Sequence, residues 1–404
     1  MKAGVKYSGV AWIGNIPESW RISKVKDAFV RKNQKAHQEN PVVLSLARSG
    51  VRVRDISTNE GQVAESYYDY NPVEIDDLLI NPMDLYSGAN CSISKVSGVI
   101  SPAYVNLRYK KNVCPRFYDY YFKTQYWAMA FFAHGKGISF DNRWTLGIDT
   151  LLNYPIPSPS YVEQKAIADF LDKKCGEVDE LVALQEKIIE ELKSYKQSVI
   201  TEAVCKGLNP NVPMKDSGID WVGKMPTHWE VCQLKRYSKV NNGKEVINES
   251  NDSSTIPVYG SGGVFKYTET ALYQGEVVMF GRKGTLGKPI YANTKLWVVD
   301  TMYFLTFDKK HLLPRYVYYQ LTTFDWQPYI TQTALPSIVA SDIVACNFPK
   351  PIISEQQEIA DYLDKKCSEI DQLISIKQQK IVELNDYKKS LIYEYTTGKK
   401  EVKL

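Results

Sequence analysis

Long apolar runs are missing from this chain. Nothing in its 404 residues approaches the roughly 18 consecutive apolar positions of a membrane-spanning helix. The opening MKAGVKYSGVAW also lacks the apolar core of a secretory leader, so the chain reads as cytoplasmic. The seven cysteines (Cys91, Cys114, Cys175, Cys205, Cys232, Cys346, Cys367) show no CxxC or Cys/His ligand spacing, which favours buried thiols over a metal site. Histidine is scarce, at four, and none sits in a triad-like setting. There is no Pro-Pro dipeptide for an amino-methyltransferase site, no GxxxxGK[ST] phosphate cradle and no Pro-Asp of the usual nuclease motif. These gaps argue against a catalytic chain, and no cofactor is expected. Nor does one sign of charge dominate: 50 Lys+Arg against 46 Asp+Glu leave +4, so any nucleic-acid role would rest on local patches.

What the chain does have is aromatics and repetition. Its 28 tyrosines and 8 tryptophans are rigid amphipathic groups suited to recognition surfaces as well as to cores. SGVAWIGNIPESW (Ser8–Trp20) returns as SGIDWVGKMPTHW (Ser217–Trp229), and EQKAIADFLDKKC (Glu163–Cys175) as EQQEIADYLDKKC (Glu355–Cys367). Each second motif continues into a long charged helix with a Tyr-Lys pair, at Tyr195-Lys196 and Tyr387-Lys388. The segments between match only in skeleton. Leu78–Ile80 aligns with Val277–Met279, Gly88 with Gly287, Tyr104 with Tyr303, and Pro115–Phe117 with Pro314–Tyr316. Apolar and turn positions agree while polar ones differ, as in two domains of one fold with different surfaces.

Local patterns place the elements. VVLSLA, DLLINP and GVISPAYVNLRY read as strands, and RFYDYYFKTQYWAMAFFA as an aromatic helix, with the same order in the second segment. Apolar residues at Ile167, Leu171, Val178, Leu181, Ile188, Leu192, Tyr195 and Val199 form a heptad-like seam, repeated from Ile359 through Ile370, Leu373, Leu384, Tyr387 and Leu391. Gly207 with Pro210, and later Gly398, are helix stops. The expected fold is α+β: two mixed α/β domains separated by a long antiparallel two-helix coiled coil with pseudo-two-fold symmetry. The boundaries are 1–158 for the first domain, 159–208 for helix 1, 209–350 for the second domain and 351–404 for helix 2. Helices packed singly on their own domains are the alternative. The WIGxxPxxW segments either pack each domain onto its helix or form an exposed aromatic patch for a partner.

This layout resembles the DNA-specificity subunit of type I restriction–modification enzymes, through the two motif pairs and the phrases NPMDLYSGA (Asn81–Ala89) and GRKGTLG (Gly281–Gly287). The resemblance covers almost the whole chain. It implies two target-recognition domains, each reading one half of a split, asymmetric sequence in double-stranded DNA, with the helices as spacer. It also implies docking of two modification (methyltransferase) subunits that carry S-adenosylmethionine and methylate adenine, and of restriction subunits in an ATP-dependent nuclease. A coiled-coil scaffold with two variable protein- or glycan-binding domains is the competing reading, and salt dependence of duplex binding separates the two.

Candidate DNA contacts come from three places. The stretch around the matched glycine offers Asn81, Ser87 and Asn90 in domain 1 and Arg282, Lys283 and Thr285 in domain 2. Arg282 or Lys283 would pair with guanine O6/N7 or with phosphate, and the polar residues with base edges, unless the stretch is simply a solvated turn. A glycine-rich loop offers Lys136, Ser139, Asn142 and Arg143, with Gln332 as counterpart. Finally Arg48, Arg52 and Arg54 oppose Tyr259, Ser261 and Lys266, as a phosphate stripe or as a solvent-facing edge.

Overall fold

The structure is a computed structural model that describes residues 4–47, 49–57, 64–83, 85–86, 90–139 and 144–402. The chain forms two compact units, residues 1–184 with 380–404, and residues 185–379.

In the first unit, β1 (Phe29–Lys32), the hairpin β2 (Leu44–Ala47) and β3 (Gly50–Val53), β4 (Leu78–Ile80), β5 (Cys91–Ile93) and β6 (Val105–Tyr109) precede the aromatic helix α1 (Pro115–Trp127). An antiparallel sheet runs β1-β6-β4-β5, while among the described residues β2 and β3 pair only with each other. The expected single strand over GVISPAYVNLRY is two, because Ser101–Tyr104 makes a turn between Gly98–Ile100 and β6. The aromatic helix likewise breaks at Met129, whose φ of 57° is left-handed, before a short turn over Ala130–Ala133. The first long helix, α2 (Tyr161–Lys206), contributes residues 161–184 to this unit.

The second unit repeats the plan with a larger sheet. Its strands are β7 (Ser238–Asn242), β8 (Glu249–Ser250), β9 (Ile256–Gly260), β10 (Gly263–Thr268), β11 (Tyr273–Gly281), β12 (Ile290–Val298) and β13 (Met302–Phe307), followed by α3 (Pro314–Thr323) and the second long helix α4 (Ile353–Thr396). The order is β7-β13-β11-β12-β9-β10-β8, antiparallel except where β9 meets β12. Here the hairpin has joined the sheet. The shared strands keep their register: Val105 faces Ile80 in the first unit, and Phe304 faces Met279 in the second.

The repeated EQxxIADxLDKKC motif explains how each sheet-and-helix body attaches to its long helix. Ile167, Ala168 and Leu171, and equally Ile359, Ala360 and Leu363, are buried in the cores. The two aspartates lie three residues apart on one helical face. Asp169 accepts a 2.6 Å bond from Arg116, which also pairs with Asp172, and Tyr120 donates to Asp172 at 2.8 Å. In the second unit Arg315 pairs with Asp361 (2.7 Å) and Asp364, and Tyr319 donates to Asp364 at 2.6 Å. Burial, then the carboxylate bond, push both tyrosine hydroxyls far above their ordinary range. The glutamine of the motif is buried as a double brace. Gln164 accepts from the Cys114 N–H and donates to Pro159 O, both at 2.9 Å. Gln356 does the same with Leu313 N–H and Pro351 O.

Each WIGxxPxxW segment packs its second tryptophan against a helix end. Trp20 is buried against Gly398, which ends α4 with φ +70°, and Trp229 against Gly207, which ends α2 with φ +75°. Core packing therefore accounts for these rings. Within the first unit, Phe170 and Tyr395 pack at 4.5 Å and Lys388 pairs with Asp179 at 2.6 Å, so the helix segments run antiparallel. Within the second, Lys196 pairs with Asp371 at 2.7 Å. These are the lysines of the two Tyr-Lys pairs.

The seam differs from the expected heptad. Ile167, Leu171, Cys175, Val178, Ile189 and Ile200 are buried, whereas Leu181, Tyr195, Leu373 and Tyr387 are exposed. A helix of 3.6 residues per turn drifts away from a 3.5-residue row, and the ends of these helices bury a face set by the adjoining body rather than by the other helix.

Replacing Gln356 by alanine leaves a buried N–H and a buried C=O without partners, and is expected to destabilise the second unit by about 3 kcal/mol in urea unfolding. Gly398→Ala places a Cβ against Pro17 and Trp20 at a left-handed position, whereas Gly218→Ala meets open space at a similar φ. The first is expected to cost about 3 kcal/mol and the second about 1 kcal/mol, read as shifts in the denaturation midpoint.

Candidate nucleic-acid interface

In the second unit three separate segments meet at the ends of β9 and β11. The Gly281–Gly287 turn is closed by backbone: the N–H groups of Arg282 and Lys283 both donate to Thr301 O, at 2.8 and 3.1 Å. Gly281 must be glycine there, since a Cβ would overlap Thr285 O, and Gly284 and Gly287 carry φ of +81° and +70°. Ser261, from the β9–β10 turn, accepts the Thr285 N–H at 3.1 Å. The third segment, 331–338, is tied on by Ile338 N–H to Arg282 O (3.1 Å) and by a bridge between Lys283 and Ser337. With the backbone so occupied, the side chains of Arg282, Lys283, Thr285 and Gln332 are exposed. The Arg282 guanidinium lies 5.9 Å from the Tyr303 ring centre.

The first unit assembles the corresponding segments by different bonds. Asn90 donates to Ala47 O at 2.6 Å, joining the 81–90 loop to the β2–β3 turn. Leu146 N–H donates to Pro82 O (2.8 Å) and Leu85 N–H to Trp144 O (3.2 Å), which bring in the loop after Gly135. Lys136 and Thr145 close that loop by reciprocal backbone bonds of 2.8 and 2.9 Å. Lys136, Ser139 and Arg52 are exposed.

The residues singled out from the sequence therefore divide. Ser261, Arg282, Lys283, Thr285 and the loop of Gln332 come together, as do the loops carrying Asn81, Asn90, Lys136 and Ser139. Asn90 spends both ends of its amide inside the protein, on Ala47 O and on its accepted bond from Cys91 N–H. The Asn81 side-chain Oδ1 accepts Met83 N–H, so these two asparagines shape the loop. Lys266 stands along β10 in a 2.7 Å ion pair with Glu249 of β8. Tyr259 is half-buried, and burial raises its hydroxyl above the ordinary value. Arg48, Ser87, Asn142 and Arg143 lie outside the described residues. Sequence reasoning passed over Tyr86, an exposed ring in the 81–90 loop, and the aliphatic tips Ile138 and Leu335. Their signal was present, since each stands among small or polar residues where no core face requires it.

A surface of exposed cations, hydroxyls and amides on braced loops can donate to phosphates and pair with base edges. Comparison with known proteins points the same way. Residues 226–386 match the family model for the type I restriction modification DNA specificity domain. The putative type I restriction enzyme MjaX specificity subunit of Methanocaldococcus jannaschii is 24% identical over 97% of this chain and 96% of its own. The MjaVIII specificity subunit of the same organism is 24% identical over 81% of each chain. In fold, the chain is similar to one solved in work on complex assembly and conformational transition of the type I R-M system, with a TM-score of 0.73 at 13% identity over 94% of this chain and 98% of the other. The HsdS subunit from Thermoanaerobacter tengcongensis gives 0.52 at 14% identity over 95% and 98%. The duplicated scaffold, the polar loops mounted on it and these relatives agree: the chain is similar along most of its length to the DNA-specificity subunits of type I restriction–modification systems, and residues 226–386 match their specificity domain.

Proposed function

We propose that each unit reads one half of a split, asymmetric DNA sequence through its three converging loops. The observation that carries this reading is the contrast between the two units. Their anchoring bonds repeat residue for residue, while the side chains offered by the loops differ: Lys136 and Ser139 in one, Arg282, Lys283, Thr285 and Gln332 in the other. A common frame with different donors is what two different base sequences require.

In this reading α2 and α4 pair along their length as an antiparallel coiled coil related by a pseudo-two-fold axis, with the target-recognition domains at 1–158 and 209–350. The mirrored ion pairs Lys388–Asp179 and Lys196–Asp371 support it. The pair would act as a ruler, because two readers on one duplex must keep a fixed separation and phase. The chain itself does no chemistry; two modification subunits bound along the helices would methylate adenine, and restriction subunits would add ATP-dependent cleavage. Such a complex works on chromosomal DNA in the cytoplasm; among the described residues no helix is long and apolar enough to cross a membrane.

Three measurements test this. Sequencing methylated bases in cells with and without the gene, alongside its modification partner, is expected to show a split asymmetric motif that vanishes with the gene; an unchanged methylome refutes the reading. Inserting one heptad into both helices, at positions that face each other, adds about 10 Å and should widen the gap by up to about three base pairs without altering either half. An unchanged gap rejects the ruler. Arg282→Ala and Lys283→Ala are each expected to lower the slope of log K against log salt by about one where the side chain meets a phosphate. Where one of them reads guanine instead, the slope stays and specificity at that base relaxes.

A further inference from the structure

Two side chains are strongly exposed where solubility alone would not put them. Ile138 is 86% exposed and Leu335 is 73% exposed, the two most exposed large hydrophobic side chains among the described residues. They occupy matching places, each on the loop that follows its unit's aromatic helix and is tied by backbone bonds to the Gly281–Gly287 turn in one unit and to Pro82 and Leu85 in the other. A single exposed aliphatic residue needs no explanation, but a matched pair at the tips of otherwise polar loops does.

Both loops are closed at their base, and the Leu335 loop is also bonded across its tip. Around Leu335, Thr331 N–H donates to Ser337 O at 3.0 Å, Ser337 N–H donates to the Thr331 hydroxyl at 3.0 Å, and the Thr333 hydroxyl donates to Leu335 O at 2.9 Å. Ile330 and Ile338 bridge the base of the loop. Around Ile138 the reciprocal Lys136–Thr145 bonds perform the same closure. Neighbours on both sides are small or compact, Gly137 and Ser139 in one loop, Ala334 and Pro336 in the other. The backbone can therefore come close to whatever the tip enters.

We propose that Ile138 and Leu335 are apolar base contacts, one for each half of the DNA target, inserted beside the cationic and amide-bearing side chains of the same surface. This rests on the DNA-reading function proposed above. Within a duplex the apolar surfaces that differ with sequence are the thymine 5-methyl at the major-groove edge and the faces of a base step opened by a wedge. Lys136, Arg282 and Lys283, from the same loop clusters, favour a polyanion over an apolar protein groove as the occupant.

The test uses the complete complex with its modification subunits and a labelled duplex carrying the methylated motif. Leu335→Ser and Ile138→Ser are each expected to weaken binding roughly tenfold, the scale of one lost aliphatic burial, with the salt slope unchanged. Lys283→Ala serves as the electrostatic comparison. Leu335→Ser should lose nothing further on a duplex already scrambled in the half read by the second unit, whereas Ile138→Ser should still lose. Thymine-to-uracil replacement that mimics the serine variant identifies a methyl contact, and brightening of 2-aminopurine at one step identifies a wedge. Wild-type affinity in both serine variants, or a loss accompanied by a smaller salt slope, overturns the inference while leaving DNA reading intact. If the unaltered complex does not prefer the motif duplex over a scrambled one, the DNA reading itself fails.

Discussion

The buried glutamine at the start of each long helix is the contact on which the rest of the architecture depends. Gln164 and Gln356 each satisfy a backbone N–H ahead of the aromatic helix and a backbone carbonyl just before their own helix. That helix carries proline at its first position, so the N–H taken by the glutamine belongs to the residue before it. The Arg–Asp–Asp–Tyr cluster then sets the angle from the solvent side. Because Leu171 and Leu363 lie between the aspartates and face inward, one short stretch supplies both the apolar contact and the polar one.

Ion pairs between the long helices do a different job. Lys388–Asp179 and Lys196–Asp371 are partly exposed, and such pairs contribute about 0.2–1 kcal/mol each. Their value is in selection. Each lysine meets an aspartate only in the antiparallel arrangement at one register, and the repeat imposes that choice at both places. Leu181, Tyr195, Leu373 and Tyr387, which continue the apolar row on paper, point to solvent instead.

Much of the fold was legible because duplication acts as an internal comparison. Where both copies agree, as in EQxxIADxLDKKC, the residues are the ones that anchor helix to body. The strand skeleton and helix stops at Gly207 and Gly398 were legible for the same reason. Three features were not. The left-handed break at Met129 has no glycine or asparagine to announce it. The hairpin of the second unit joins the main sheet through a parallel pairing with β12, a contact distant in sequence that local pattern does not encode. At the candidate interface, residue type marked Asn90 as a reader, yet its amide is consumed within the loop; only tertiary placement separates a side chain that braces from one that is offered.

The first unit contains residues from both ends of the chain, while the second is continuous from 185 to 379. Lys399 donates to Ile13 O at 2.6 Å, and Leu391, Ile392 and Gly398 pack into the same core as Trp20. During synthesis, then, the N-terminal body is made first but completed last. Its core includes Leu391 and Ile392, so residues before 184 alone do not close it.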